Sequence, residues 1–509
     1  MSETGASKRG RRFRRWLYVA LVVPMIGVLA FGSFIAWVYT DAKVDNVGEV
    51  EFGRRLIIPE LAESRLDAQG RRVFDLTMAP GETDLGREDL TKTWGINGSY
   101  LGPTIRATRG ETVVMNVENR LPEPSSLHWH GMHLPALMDG GPHQMIPAGD
   151  TWSPSWKIDQ PAATLWYHPH PHGDTAEHVY RGLAGVFLID EPAGEGPTGL
   201  PSEYGVDDVP VVVQDKRFDG SDLDLTRGLF SSTGILGDEI LVNGTPGPYF
   251  DVTTERVRLR LVNASNARVY NFSLDDGREF QLVGSDGGLL ADLAPLDHMV
   301  LSPGERAEIV VELAPGEDVT LRSGPLERAS RFDGTSDSFD VLELRAAYEL
   351  EQSADLPTAL AQVPAPDALK VDRTRSFVLE GTDINGLEMD MSRVDATVTL
   401  GTTEQWNVKN TSGGHHNLHI HDVQFVVKSI NGEPPPPELA GWKDTIYLPK
   451  DTEVELVMSF TDYADPDSPY MFHCHLLLHE DNGMMGQFVV TEPGEAAGTP
   501  LPVPESHEH

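Results

Sequence analysis

The chain has 509 residues, with 78 acidic and 40 basic side chains, 18 histidines, 14 methionines and one cysteine. Its net charge of −38 excludes general nucleic-acid binding, which needs a basic face to displace phosphate counterions, and the lone cysteine excludes both an intrachain disulfide framework and a zinc site built on several thiolates. With 39% hydrophobic and 23% charged residues it is not a disordered chain, and its length suits about three domains.

The first element in chain order is a basic cytoplasmic segment, residues 1–15, where Lys8, Arg9, Arg11, Arg12, Arg14 and Arg15 stand against one acid, Glu3. The next 25 residues, 16–40, carry no charge. As a helix such a run spans about 37 Å, enough for a hydrocarbon core about 30 Å thick. The sequence therefore predicts a transmembrane helix over 16–40, with everything after Asp41 on the extracytoplasmic face. A cleaved signal would have a shorter apolar region and a small-residue cleavage site, which residues 37–42 do not offer; with cleavage the protein would be secreted. The arginine pairs leave both Sec and twin-arginine export open. The rest of the chain holds 34 basic and 77 acidic side chains, a solvated, self-repelling surface.

After residue 50, short alternating apolar stretches such as 112–117, 256–262 and 453–460 are split by Gly, Pro, Asn and Asp, the pattern of β-sandwiches. Stretches rich in Pro, Gly or acid near 192–208 and 350–368 divide the chain into units 50–195, 205–350 and 365–495, followed by a tail, 496–509. The units repeat. An apolar-x-apolar-x-Asn strand end occurs as Met115, Val117, Asn119, as Leu259, Leu261, Asn263 and as Trp406, Val408, Asn410. Nine residues beyond each Asn stand His128-Trp-His130, Phe272-Ser-Leu274 and His419-Ile-His421. Units one and three thus carry histidine pairs at equivalent positions, which points to a metal site shared between them, with unit two a spacer without ligands.

Four clusters hold most of the histidines: His128 and His130; His168 and His170; His416, His419 and His421; and His473-Cys474-His475 followed by His479 and Met484. On a strand, residues i and i+2 share a face, so each H-x-H should project two imidazoles the same way. Imidazole suits copper and zinc alike. The last cluster separates them: Cys474 points away from its two flanking histidines and can meet His416, His479 and Met484. A thiolate, two imidazoles and an axial thioether form a blue-copper set. The histidines beside the thiolate then reach a second site, and the strand becomes a short electron route between the two. Eight paired histidines can hold three coppers and the thiolate site a fourth, matching the four electrons that reduce dioxygen to water. His133, His143, His172, His178, His298 and His415 lack comparable support and read as surface or supporting residues; His507 and His509 lie in a solvated tail.

At these residues the chain resembles the multicopper oxidases, in particular the bacterial three-domain group of laccases, cuprous oxidases and bilirubin oxidases. Flanking strings agree: Gly-Pro-Thr-Ile-Arg at 102–106, Trp-Tyr-His-Pro-His at 166–170, Gly-Trp-Lys-Asp-Thr at 441–445 and the run from His473 to Met485. The resemblance implies an all-β chain of three cupredoxin-like Greek-key β-sandwich domains and four copper ions. It implies a type 1 copper on His416, Cys474, His479 and Met484, a type 2 copper on His128 and His419, and a type 3 pair on His130, His168, His170, His421, His473 and His475. Glu480 and Asp139 match acids that feed protons to the oxygen cluster. Two positions depart from the family's third motif, H-P-x-H-x-H-G: Asn417 replaces Pro and Asp422 replaces Gly. Met389, Met391, Met458 and Met471 are the only methionines between 340 and 475, too few for the Met-rich segment of cuprous oxidases. The expected protein is a monomeric, membrane-anchored oxidase that uses dioxygen and a small reducing substrate, either a phenolic or aromatic donor or a reduced metal ion. The alternative is a membrane-tethered copper buffer without turnover.

Overall fold

The structure, a computed structural model, describes residues 6–227 and 231–500. Beyond the N-terminal helix the chain is almost entirely β, built as three sandwiches. Their facing sheets have six and three strands in the first, six and seven in the second, and five and five in the third. Each encloses its own apolar core: Phe74, Met115, Trp129 and Phe187 in the first, Leu259, Phe272, Ile309 and Leu344 in the second, Trp406, Leu456, Phe472 and Phe488 in the third.

The sequence repeat is a structural one. Each unit pairs two long strands in parallel: Arg72–Thr83 with Thr112–Asn119, Asp208–Lys216 with Arg256–Asn263, and Arg373–Glu380 with Thr402–Asn410. The second strand of each pair ends at the repeated asparagine. Its amide does the same work three times. Asn119 donates to the carbonyls of Glu123 and Ile146 and accepts from the N–H of Leu121. Asn263 donates to Arg268 and Leu301 and accepts from Ser265. Asn410 donates to Gly414 and Leu448 and accepts from Ser412. A buried amide that satisfies the polar backbone of the following turn fixes where the chain goes next. In units one and three, what comes next is a histidine pair.

Two expectations meet a different picture. Arg54–Arg55 pairs with Pro248 and Tyr249, and Asp45 bridges to Ser338, so the segment leading into the first sandwich lies along the second. The membrane crossing expected over 16–40 finds no support: a helix runs Ala6–Asp41 with Pro24 inside it, but among the described residues no helix is long and apolar enough to cross a membrane. Within that helix the side chains are described without interruption only over 21–35, and the tail histidines His507 and His509 lie outside the described residues.

One buried charge tests the packing between the first two sandwiches. Lys216 is 1% exposed, its Nζ donates to the carbonyl of Tyr180 at 2.8 Å, and burial pulls its amine down from 10.5 to about 7. Between those values the unfolded chain holds a proton that the folded chain does not, so stability rises with pH across about 7 to 10.5. Lys216→Met is expected to be more stable than the parent at pH 7 and to lose that slope, as read by thermal melts across the range.

Candidate metal centre

The histidine pairs do not lie within strands as expected. His128 and His130 follow a turn, with His128 bridged to His168, while His473 ends the strand Asp465–His473 opposite His419. Only His416 and His419 sit inside a strand, His416–Ile420. Each H-x-H keeps its two rings side by side, as expected, with centroids 4.9 to 6.2 Å apart, and divides them between neighbouring groups. His130, His168 and His475 form one trio; His170, His421 and His473 form another; His128 and His419 stand together beside His130. Exchanging 128 with 419, 130 with 421, 168 with 473 and 170 with 475 carries one trio onto the other. The same exchange carries the stacked pair His130–His419, 3.6 Å apart, onto His128–His421, 3.9 Å apart. The centre thus has the pseudo-twofold symmetry expected where equivalent edges of two repeated domains meet.

Outward hydrogen bonds decide which ring nitrogen carries the proton. Nδ1–H of His128 donates to the backbone carbonyl of Asp139 and that of His419 to the carbonyl of Asp444, both at 3.0 Å. Nδ1–H of His168 donates to Pro169 O at 2.8 Å and that of His421 to Asp139 Oδ2 at 2.7 Å. His130 is reversed: its Nε2–H donates to Asp444 Oδ1 at 3.0 Å, leaving Nδ1 bare, 3.4 Å from His168 Nε2. The other face of each ring therefore presents a lone pair inward. His473 Nε2 lies 3.1 Å from His170 Nε2 and 3.2 Å from His421 Nε2, and the buried Nε2 atoms of His128, His419 and His475 have no hydrogen-bond partner. Burial, then the neighbouring imidazoles, hold His168, His170 and His473 well below the usual range. Neutral rings aiming lone pairs at one another in a dry interior repel unless a cation lies between them, so this donor set fits metal ions.

The cysteine lies in a smaller group. Cys474 Sγ is 3.5 Å from His416 Nδ1 and 3.6 Å from His479 Nδ1, and those nitrogens are 3.1 Å apart. His479 is turned inward because its Nε2–H donates to Ser232 O of the middle domain at 2.8 Å; His416 Nε2 pairs with Ser412 Oγ, also at 2.8 Å. Met484 is fully buried, and its carbonyl accepts the Cys474 N–H at 3.1 Å. Burial pushes the thiol up to about 12, so the sulfur needs a bound cation to become a thiolate.

The two expected acids differ in state. Glu480 is 1% exposed, its oxygens 3.2 Å from His170 Nδ1 and 3.3 Å from His473 Nδ1. Burial and then Asp481 raise it well above the usual carboxylate range. Burial would raise Asp139 too, but the His421 and His128 rings overcome this and hold it well below that range. The two carboxyls on one centre are thus pushed in opposite directions.

Sequence reasoning missed the symmetry mate of Asp139. Asp444 offers its carbonyl to His419 and its carboxylate to His130, as Asp139 does to His128 and His421. Unlike Asp139 it is neutralised, by Arg306 of the middle domain at 2.6 and 2.7 Å. The string at 441–445 contained it, but nothing local marked it as a partner of a histidine 314 residues away. The middle domain is therefore more than a spacer. Of the remaining histidines, His178 is buried between Ser125 Oγ at 3.0 Å and Glu123 Oε1 at 2.9 Å, His415 lies 3.8 Å from Asp333, and His298 is exposed. Asp422 has φ 67°, a left-handed conformation that glycine adopts freely and aspartate tolerates.

Multicopper oxidase family models match residues 79–194, 215–320 and 359–494, one per sandwich. A multicopper oxidase from Staphylococcus haemolyticus is 36% identical over 446 residues, 86% of this chain and 92% of that protein. The chain belongs to the multicopper oxidases. Its fold is the all-β cupredoxin-like fold of that family, and it is a copper-dependent oxidoreductase of laccase-like type. A laccase of Pediococcus acidilactici superimposes with a TM-score of 0.78 at 33% identity, covering 86% of this chain and 93% of that one. A laccase-like oxidase, CueO, of Ochrobactrum does so with 0.79 at 35%, covering 86% and 100%. A cell division protein, FtsP, of Sodalis glossinidius is equally similar, 38% identical over 446 residues, 86% of this multicopper oxidase and 92% of that protein.

Proposed function

We propose that this multicopper oxidase takes single electrons from a small reductant at a type 1 copper and reduces dioxygen to water at a three-copper cluster. His416, Cys474, His479 and Met484 would hold the type 1 ion, His128 and His419 the type 2 ion, and His130, His168, His475 with His170, His421, His473 the type 3 pair. Bound copper supplies the one-electron steps and the oxygen chemistry. The chain supplies the rest: outward hydrogen bonds that keep ring nitrogens bare, Glu480 as the proton source beside His170 and His473, Asp139 as the proton acceptor and orienting group beside His128 and His421, and a covalent route from Cys474 through its peptide to His473 and His475. The observation that carries this reading is the set of eight buried imidazoles whose inward nitrogens face each other.

The favoured donors are phenols and aromatic amines. Of the four methionines between 340 and 475, Met458 and Met471 are buried and only Met389 and Met391 are part-exposed, too few for a Met-rich segment that captures Cu(I). Anchoring of residues 16–40 in a bilayer, an extracytoplasmic catalytic face and a monomeric state belong to the same proposal. The test is oxygen uptake by the copper-loaded full chain with a methoxyphenol and with Cu(I) at equal concentration. Faster uptake with the phenol is expected. Dominance of Cu(I) would make it a metal oxidase, and blue protein that consumes no oxygen with any reductant would leave a copper buffer. A chain that binds no copper would leave the non-enzymatic role that the division-protein relatives suggest.

A further inference from the structure

Two short helices meet beside the histidine centre, one from each of the repeated domains. Thr175–Arg181 begins shortly after His170, and Leu477–Asp481 carries His479 and Glu480. The first turn of a helix leaves N–H groups without partners inside the helix. Asp174, at the N-cap of the first helix, makes no capping bond with its side chain. The cap comes from the other domain: Asp481 Oδ1 accepts the N–H of Thr175 at 2.8 Å, and its Oδ2 that of Ala176 at 3.0 Å. The middle domain bridges the same helices, where Asn266 donates through Nδ2 to Ala176 O at 2.8 Å and accepts the Leu477 N–H on its carbonyl at 2.9 Å. Ala176, Val179 and Leu477 close the contact with a small apolar cluster.

Glu480 stands at the end of this clasp. Its oxygens face one imidazole from each domain, 3.2 Å from His170 Nδ1 and 3.3 Å from His473 Nδ1. His473 is close to Glu480 along the chain, but the approach to His170 depends on how the two domains dock. We propose that Asp481 is a positioning residue for Glu480: by capping the helix that follows His170, it locks that segment to the helix bearing Glu480 and sets the carboxyl against the His170 ring. The proposal rests on the oxidase reading given above. A proton donor displaced by about 1 Å can cost about 10²-fold in rate, so a two-bond cap beside it bears directly on dioxygen reduction.

The test compares Asp481→Ala, which removes both acceptors, with Asp481→Asn, which removes the charge equally but keeps one acceptor. In the copper-loaded full chain, reoxidation by dioxygen should slow about tenfold in the Ala variant and about threefold in the Asn variant. Copper content, blue absorption and anaerobic reduction of the type 1 site should match the parent. In the copper-free full chain, amides of residues 173–181 should exchange about tenfold faster in the Ala variant, because two N–H groups lose a charged acceptor. Adding Asp481→Ala to Glu480→Gln should slow reoxidation by less than about twofold further, since residues that act on one step do not add. Should the Ala variant fail to load copper, the Asn variant and its combination with Glu480→Gln decide. Equal slowing by Ala and Asn would assign the effect to charge. Full additivity with Glu480→Gln, parent-like exchange, or copper loss from both variants would make Asp481 a general brace. Each of these overturns the proposal. A copper-loaded parent that dioxygen does not reoxidise would instead overturn the oxidase reading itself.

Discussion

Glu480→Gln is expected to cut the maximal rate of oxygen consumption by about 10²-fold, the usual range for losing a positioned proton donor. The substitution preserves shape, and burial favours the neutral form of the Glu480 carboxyl, so little electrostatic disturbance is expected. Copper content and blue absorption should match the parent. The defect should sit in one half of the cycle: anaerobic reduction of the type 1 site by the donor at the parent's rate, and reoxidation by dioxygen slowed by the full factor. Stopped-flow measurement of both halves checks this. Equal slowing of both, or loss of copper, would show that Glu480 holds the site together and does not supply protons to it.

The second large effect concerns Asp444. Asp444→Ala leaves Arg306, 0% exposed, with only the Asp286 carboxylate, 3.8 Å away and shared with Lys443, and breaking a buried pair from one side costs about 3–5 kcal/mol. It also removes the acceptor that keeps His130 with Nε2 outward and Nδ1 bare. The variant is expected to melt well below the parent in the copper-free state and to load less copper at the trinuclear cluster, with the blue absorption at the thiolate site largely kept. The double replacement Asp444→Ala with Arg306→Met should recover part of the stability, since Asp286 keeps Lys443 as its counter-ion, and none of the trinuclear copper. Thermal melts and metal analysis together separate the two consequences. Recovery of both by the double variant would reduce Asp444 to a counter-ion.

The sandwiches were legible because their signals are local. Alternation along 112–117, 256–262 and 453–460 matches the strands Thr112–Asn119, Arg256–Asn263 and Glu453–Phe460, and the repeated asparagines act on turns only a few residues away, apart from their long-range bonds to Ile146, Leu301 and Leu448. The histidine pairs were legible as donors for the same reason. Their division was not: sharing a face puts both rings of a pair at the centre, side by side, but which group each ring joins depends on histidines from the other domain. The helix at the N-terminus shows the opposite case, a strong local pattern over 16–40 that the described residues do not carry through to a membrane span.

The sequence alone determined the types of ligand, the one thiolate position between two histidines and the equivalence of the first and third domains, because each is written in spacings of a few residues. Only the tertiary structure decided which imidazoles share a centre, which nitrogen each leaves bare, that Asp444 mirrors Asp139 but is neutralised by Arg306, and that Asp481 caps a helix of the first domain. Those relations join groups far apart in the chain, such as His130 and Asp444, 314 residues apart. A contact of that kind is set by how two repeated domains dock around a third, and no local period records it.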